Sequence, residues 1–172
     1  DGAAITSIKI DGVLHEFSTI PGIREDVTDI ILNLKQLCIK VEEDAQLPLE
    51  VHFDFQKDGV LTAADLAEQF PPEVEVLNPE LVIATMDETA HLVMDVVIER
   101  GKGYVPSTKN KKDTDVIGCI PIDSIFSPIL RAKYEVSDVR VGNEMDFDKL
   151  TLEVWTDGSI TAADAVAKSA AI

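Results

Sequence analysis

The sequence predicts an α+β protein made mostly of antiparallel strands. Three observations carry that expectation. Leu49, Val51, Phe53 and Phe55 alternate with polar residues, and so do Leu92, Met94, Val96 and Ile98. This is the period-two signature of strands with one buried face. Val27, Ile30, Ile31, Leu34 and Leu37 recur instead at helical spacing. Short turn signals such as Asp11-Gly12, Asp58-Gly59 and Asp157-Gly158 punctuate the strands.

Taken in order, Ile5 to Ile10 reads as a strand with both faces partly apolar. Leu14 to Ser18 is expected to return as a second strand, giving a hairpin. A helix is expected over Arg24 to Leu37, with Pro21 and Gly22 marking its approach. Glu25 and Asp26 fall in its first turn and Lys35 in its last, each sign suiting the dipole end it lies near. Burying its apolar face contributes on the order of 10 kcal/mol as an upper figure. Cys38 to Glu42 and Leu49 to Phe55 are strands. Thr62 to Asp65 opens a short helix through a capping-box pattern, and Phe70-Pro71-Pro72 ends it.

Short strands follow around Asn78-Pro79, and Ala90 to Glu99 is the longest strand expected. Ser107 to Asp115 is polar, holds Lys109, Lys111 and Lys112, and reads as a mobile loop. Pro121 confines the apolar stretch from Ile117 to Phe126 to an edge or a crossing segment. Ile129 to Val136 and Lys149 to Thr156 alternate as strands. Thr161, with Asp164 three residues on, caps a final alanine-rich helix that the chain end cuts short.

A chain of 172 residues with 45% hydrophobic content can bury one ordinary core or two small lobes. No apolar run reaches the roughly 18 residues of a membrane span. Asp1-Gly2-Ala3-Ala4 lacks the basic start and apolar stretch of a signal peptide, and there is no initiator Met. The chain therefore reads as an internal fragment or a processed product. A net charge of -17 repels phosphate backbones and suits a basic protein partner. Cys38 and Cys119 have no metal spacing, which fits structural thiols in a reducing cytoplasm.

The chemical motifs fail one by one. Gly101-Lys102-Gly103-Tyr104-Val105-Pro106 follows a strand as a phosphate loop would, but a proline stands where the helix should open. Asp146 and Asp148 lack the glycine and glutamate of a calcium loop and read as an acidic turn. His15, His52 and His91 are expected on separate strands with no clustered partner. Ser18, Ser124 and Ser127 sit in no nucleophile-elbow pattern. The residues alone describe an acidic α+β protein with no catalytic constellation, no metal and no cofactor.

Five stretches taken together carry a resemblance. They are Ile10 to Thr19 (Ile-Asp-Gly-Val-Leu-His-Glu-Phe-Ser-Thr), Glu25-Asp26-Val27 running on to Leu32-Asn33-Leu34-Lys35, and Arg100 to Pro106. Ile120 to Pro128 and Asp146 to Leu150 with Asp157 to Ile160 complete the set. In this order and spacing they resemble the N-terminal domain of the bacterial RNA polymerase alpha subunit, over essentially the whole chain. The resemblance implies a β-rich insert lobe over residues 1–121. It implies the second half of a split α+β dimerisation lobe, antiparallel strands plus a helix, over residues 122–172. The first half of that lobe and the DNA-binding C-terminal domain would be absent.

In that family two alpha copies form a homodimer and then collect the beta and beta-prime subunits, while the catalytic magnesium lies on beta-prime. By resemblance, His15, Glu16, Phe17 and Ser18 belong to a surface offered to beta. Lys35 and Ile122 lie in regions used toward beta-prime or beta, and Tyr104 and Ser127 shape those surfaces. The expected role is subunit assembly without direct DNA binding, in a bacterial cytoplasm or a plastid. A free-standing acidic β-rich module for a ligand or basic protein is the alternative. Two departures stand out: Glu144-Met145 replaces a commonly basic residue, reversing the charge near an expected contact, and Cys119 stands where a larger or basic residue is common.

Overall fold

The computed structural model describes residues 1–112 and 116–172, without the side chains of residues 144–146. Its first elements are β1 (Gly2–Ile10), α1 (Val27–Leu34), β2 (Ile39–Val41), β3 (Leu49–Phe55), β4 (Gly59–Thr62), α2 (Ala63–Gln69), β5 (Val74–Val76) and β6 (Val82–Met86). Then come β7 (Leu92–Gly101), β8 (Tyr104–Val105), α3 (Ser107–Asn110), β9 (Cys119–Pro121), β10 (Ser124–Ile125), β11 (Ile129–Val141), β12 (Glu144–Thr156) and α4 (Ala162–Ala170). The expected α+β class holds, with antiparallel sheets throughout.

The main sheet has the order β3-β7-β1-β9. Its inner face follows from the alternation: Val51, Phe53 and Phe55 on β3 and Leu92, Met94, Val96 and Ile98 on β7 are all buried. Helix α1 contributes Val27, Ile30, Ile31 and Leu34 to the same apolar cluster. Asn33 Nδ2 donates to the Ile83 carbonyl at 2.9 Å, tying α1 to β6. Phe53 meets Phe70 edge to face, with ring centroids 5.0 Å apart.

Several expectations are corrected. Leu14 to Ser18 forms no strand. Both sides of β1 are already occupied, by β7 and β9, so no hairpin partner can pair there. The segment turns instead, with the Ser18 N–H donating to the His15 carbonyl, so His15 lies on a turn and not on a strand. Helix α1 is shorter than Arg24 to Leu37. Asp26 is its N-cap and accepts from the Asp29 N–H at 2.9 Å. The helix ends at Leu34, so Lys35 is its C-cap rather than a last-turn residue, and Leu37 lies beyond it. Glu25 leaves the helix altogether. Its carboxylate accepts from the Thr85 N–H at 2.6 Å and the Thr85 hydroxyl at 3.0 Å. Burial pushes Glu25 up, but those Thr85 bonds, with a smaller pull from Arg24, bring its pKa below the ordinary glutamate value.

Part of the expected loop from Ser107 is the short helix α3, with Asn110 buried; residues 113–115 lie outside the described residues. Strand β7 has 10 residues, whereas β11 and β12 have 13 each. Those two extend past the expected limits because Gly142, at φ 63°, turns the chain and lets pairing run to Val141↔Glu144. Asp146 and Asp148 therefore lie inside β12 and not in an acidic turn. The side chains at Glu144 and Met145, where the sequence departs from the family pattern, are outside the described residues.

The capping expectations hold. The Asp65 carboxylate accepts from the Thr62 N–H at 2.8 Å and the Thr62 hydroxyl at 3.2 Å. Thr161 Oγ1 accepts from the Asp164 N–H at 3.1 Å and donates to the Asp164 carboxylate at 2.7 Å. At the open edge of the main sheet, Gln69 stands in for a strand. Its side-chain oxygen accepts from the Asp54 N–H at 3.1 Å, and its Nε2 donates to the Asp54 carbonyl at 3.0 Å.

The chain divides into two compact units, Asp1–Ser127 and Pro128–Ile172. A division after residue 121 would cut through the first unit. Ile122 is 2% exposed, Ser124 and Phe126 are buried, and β10 pairs with β8. In the second unit β11 and β12 form a hairpin and α4 follows.

Candidate functional site

Around the carboxyl end of α1 the first unit carries a groove. The segment between β1 and α1 forms one wall. The Thr28 hydroxyl donates to the Glu16 carbonyl at 2.7 Å, and the Val27 N–H donates to the Ser18 carbonyl at 3.1 Å. These bonds fix the loop against the helix without using the loop's own side chains. The opposite wall is the stretch that runs through β9 to Asp123. Glu16, Leu32, Lys35, Ser107, Ile122 and Asp123 line a cavity of about 170 Å³ between the walls.

An ion pair closes one end. Lys35 Nζ lies 2.8 Å from Asp123 Oδ2, with both side chains mostly covered. Asp123 Oδ1 also accepts from the Ser107 N–H at 2.8 Å. The Lys35 hydrogen bond, followed by that from the Ser107 backbone, lowers the Asp123 pKa to about 2. Behind this wall lies a buried polar network. Asn110 Nδ2 donates to the Ile122 carbonyl at 2.7 Å and to Ser124 Oγ at 2.9 Å. Ser124 Oγ in turn donates to the Ile5 carbonyl at 2.7 Å. The network locks α3 and the strand after β9 onto β1, so the groove has a rigid floor.

Of the side chains singled out from sequence, Glu16, Lys35 and Ile122 come together at this groove. Ile122 contributes from the core side, since it is almost fully buried. His15, Phe17 and Ser18 sit on the neighbouring turn. The Ser18 hydroxyl is 3.4 Å from His15 Nδ1, the His15 and Phe17 rings are 6.4 Å apart, and Phe17 is 77% exposed. Tyr104 is exposed on β8 opposite Ile125, and Ser127 is half-buried at the end of the first unit; neither lines the groove. Sequence reasoning missed Asp123, Ser107 and Leu32. Lys35 and Asp123 are 88 residues apart, and no local pattern links them.

The histidines outside the groove pair with carboxylates on exposed surface. His52 Nδ1 lies 2.6 Å from Asp95 Oδ1, and His91 Nε2 lies 2.7 Å from Asp54 Oδ1. Among the described residues no three His, Cys, Asp or Glu side chains converge as a metal site. No helix of the described residues is long and apolar enough to cross a membrane.

Comparison with known proteins gives these features a family. The model of the RNA polymerase Rpb3/RpoA insert domain matches residues 8–127. Over the full chain the sequence is similar to the DNA-directed RNA polymerase subunit alpha of Carboxydothermus hydrogenoformans, with 55% identity over 171 residues, covering 99% of this chain and 53% of the relative. The subunit alpha of Leptospira biflexa serovar Patoc is 54% identical over 173 residues, covering 100% and 53%. That of Moorella thermoacetica is 53% identical over 171 residues, covering 99% and 53%. The chain thus spans about half the length of the curated relatives it matches. With the insert domain matched through the whole first unit except its opening residues, and identity sustained to the last helix, the chain belongs to the RNA polymerase alpha-subunit family.

Proposed function

We propose that the chain serves as an assembly module of DNA-directed RNA polymerase: it pairs with a second alpha copy, docks the beta and beta-prime subunits, and performs no chemistry itself. Direct DNA contact is left to other parts of the enzyme. The groove at Lys35 carries this reading, because it combines a rigid floor, one exposed apolar side chain, Leu32, and fixed charge on one surface. The turn at His15 to Ser18 adds a neighbouring contact surface for beta. Residues 1–127 act as the insert lobe, and residues from 128 onward as part of the dimerisation lobe. The exposed apolar side chains of β11 and β12 support pairing through that lobe.

Co-expression of the alpha chain with tagged beta and beta-prime tests the proposal. The expected result is co-purification of all three. Recovery of beta and beta-prime without the alpha chain would refute it.

A further inference from the structure

Resting on the docking reading above, we propose that the groove beside α1 receives a partner segment that presents a branched apolar side chain next to a lysine or arginine. In this proposal Asp123 is the positioning residue that sets this preference. Two observations lead there, the size of the cavity and its charge balance.

The cavity of about 170 Å³ lies below the roughly 300 Å³ at which small-molecule pockets begin. It is apolar along Ile31, Leu32 and Ile122, and Leu32 is 48% exposed at its side. That is room for one aliphatic knob, not for a nucleotide. The charges at its rim are Glu16, Lys35 and Asp123. Lys35 and Asp123 neutralise each other at 2.8 Å, and the Ser107 N–H holds the carboxylate in place. Glu16 is exposed and has no ion-pair partner among the described residues. The carboxyl end of α1 adds partial negative charge beside the groove.

The rim is therefore net negative, and only because Asp123 engages Lys35. Without Asp123 the lysine would be released toward the incoming segment and would repel a basic residue. Asp123 thus acts through Lys35 on partner choice.

The test uses the alpha chain within the assembling polymerase. A benzoylphenylalanine photocrosslinker replaces Leu32, and the crosslinked partner peptide is sequenced. The expected peptide carries Leu, Ile or Val within two residues of Lys or Arg. A crosslink to an acidic segment, or no crosslink while the photocrosslinker-bearing chain still co-purifies, overturns the inference and leaves the docking reading standing. Loss of co-purification by the unsubstituted chain brings down both.

Three variants supply a second measurement. Glu16→Lys should weaken partner capture about tenfold, and the loss should shrink as salt rises. Asp123→Asn should weaken it to a similar extent, about tenfold, and adding Lys35→Met to Asp123→Asn should restore capture. A purely structural role for Asp123 would leave the double variant as weak as the single one, and that result refutes the positioning role.

Discussion

The two units of this chain use the same strand pattern and reach opposite outcomes. In the first, alternating strands turn one face inward and bury it: Phe53, Leu92, Met94, Val96 and Ile98 are at or near zero exposure. In the second, β11 and β12 alternate just as clearly, yet Leu130 is 70% exposed, Tyr134 74% and Leu150 64%. The difference is the layer above. Helix α1 and the small sheets supply the first unit with apolar cover. Helix α4 is rich in alanine, and Ala165 is its buried residue. Periodicity tells which residues share a face; only a second layer decides whether that face is dry.

The largest effect that can test this contrast is in the covered core. Phe53→Ala should destabilise the first unit by about 3–5 kcal/mol through cavity formation, read as a lower urea midpoint. A loss no greater than at the exposed hairpin would erase the distinction between the units.

Next is the buried polar network. Asn110→Ala leaves the Ile122 carbonyl without its donor and should cost about 1–3 kcal/mol in the same assay. Hydrogen exchange should show faster opening of β9 and its surroundings, with β3 and β7 unchanged.

Acid sharpens the comparison at the groove. The Asp123 pKa is depressed in the folded state from 3.8 to about 2. The stability it adds is therefore fully present above pH ~4 and is lost as pH falls toward ~2. With solvent screening of a partly exposed pair, the contribution is about 1 kcal/mol. Urea titrations across that range should show a shallower acid decline in Asp123→Asn than in the unsubstituted chain.

The smallest stability effect belongs to the bare hairpin. Leu150→Ser and Leu152→Ser should each change monomer stability by no more than about 0.5 kcal/mol. They should nonetheless reduce self-association. Light scattering should show a concentration-dependent mass for the unsubstituted chain, moving toward monomer in the double variant. A strictly monomeric parent with an ordered hairpin would break the argument from exposed apolar surface.

Much of the fold was legible because its signals are local. The buried face of α1, the period of β3 and β7, the edge position forced on β9 by Pro121, and the caps at Thr62 and Thr161 all follow from short stretches. The failures were of another kind. Leu14 to Ser18 has strand character, but β1 had no free side left for it. Glu25 looked like a first-turn acid until Thr85, 60 residues away, claimed its carboxylate. At the groove, Lys35 was visible from the resemblance and Asp123 lies in a stretch that carries it, but the link of Asp123 to Lys35 and Ser107 was not. Their pairing is a product of the fold and leaves no mark at short range.

The Gln69 amide on the rim of the main sheet has a consequence for how this protein survives crowding. One side chain occupies both main-chain groups of Asp54, which would otherwise stand ready to recruit a foreign chain. Beside it, Glu50 and His52 keep polar side chains on the same border. Strand addition is opposed at Asp54 by an exposed residue whose side chain contributes little to the core. Loss of Gln69 would thus remove two hydrogen bonds, a cost of about 1 kcal/mol, and would open both main-chain groups of Asp54 to a foreign strand.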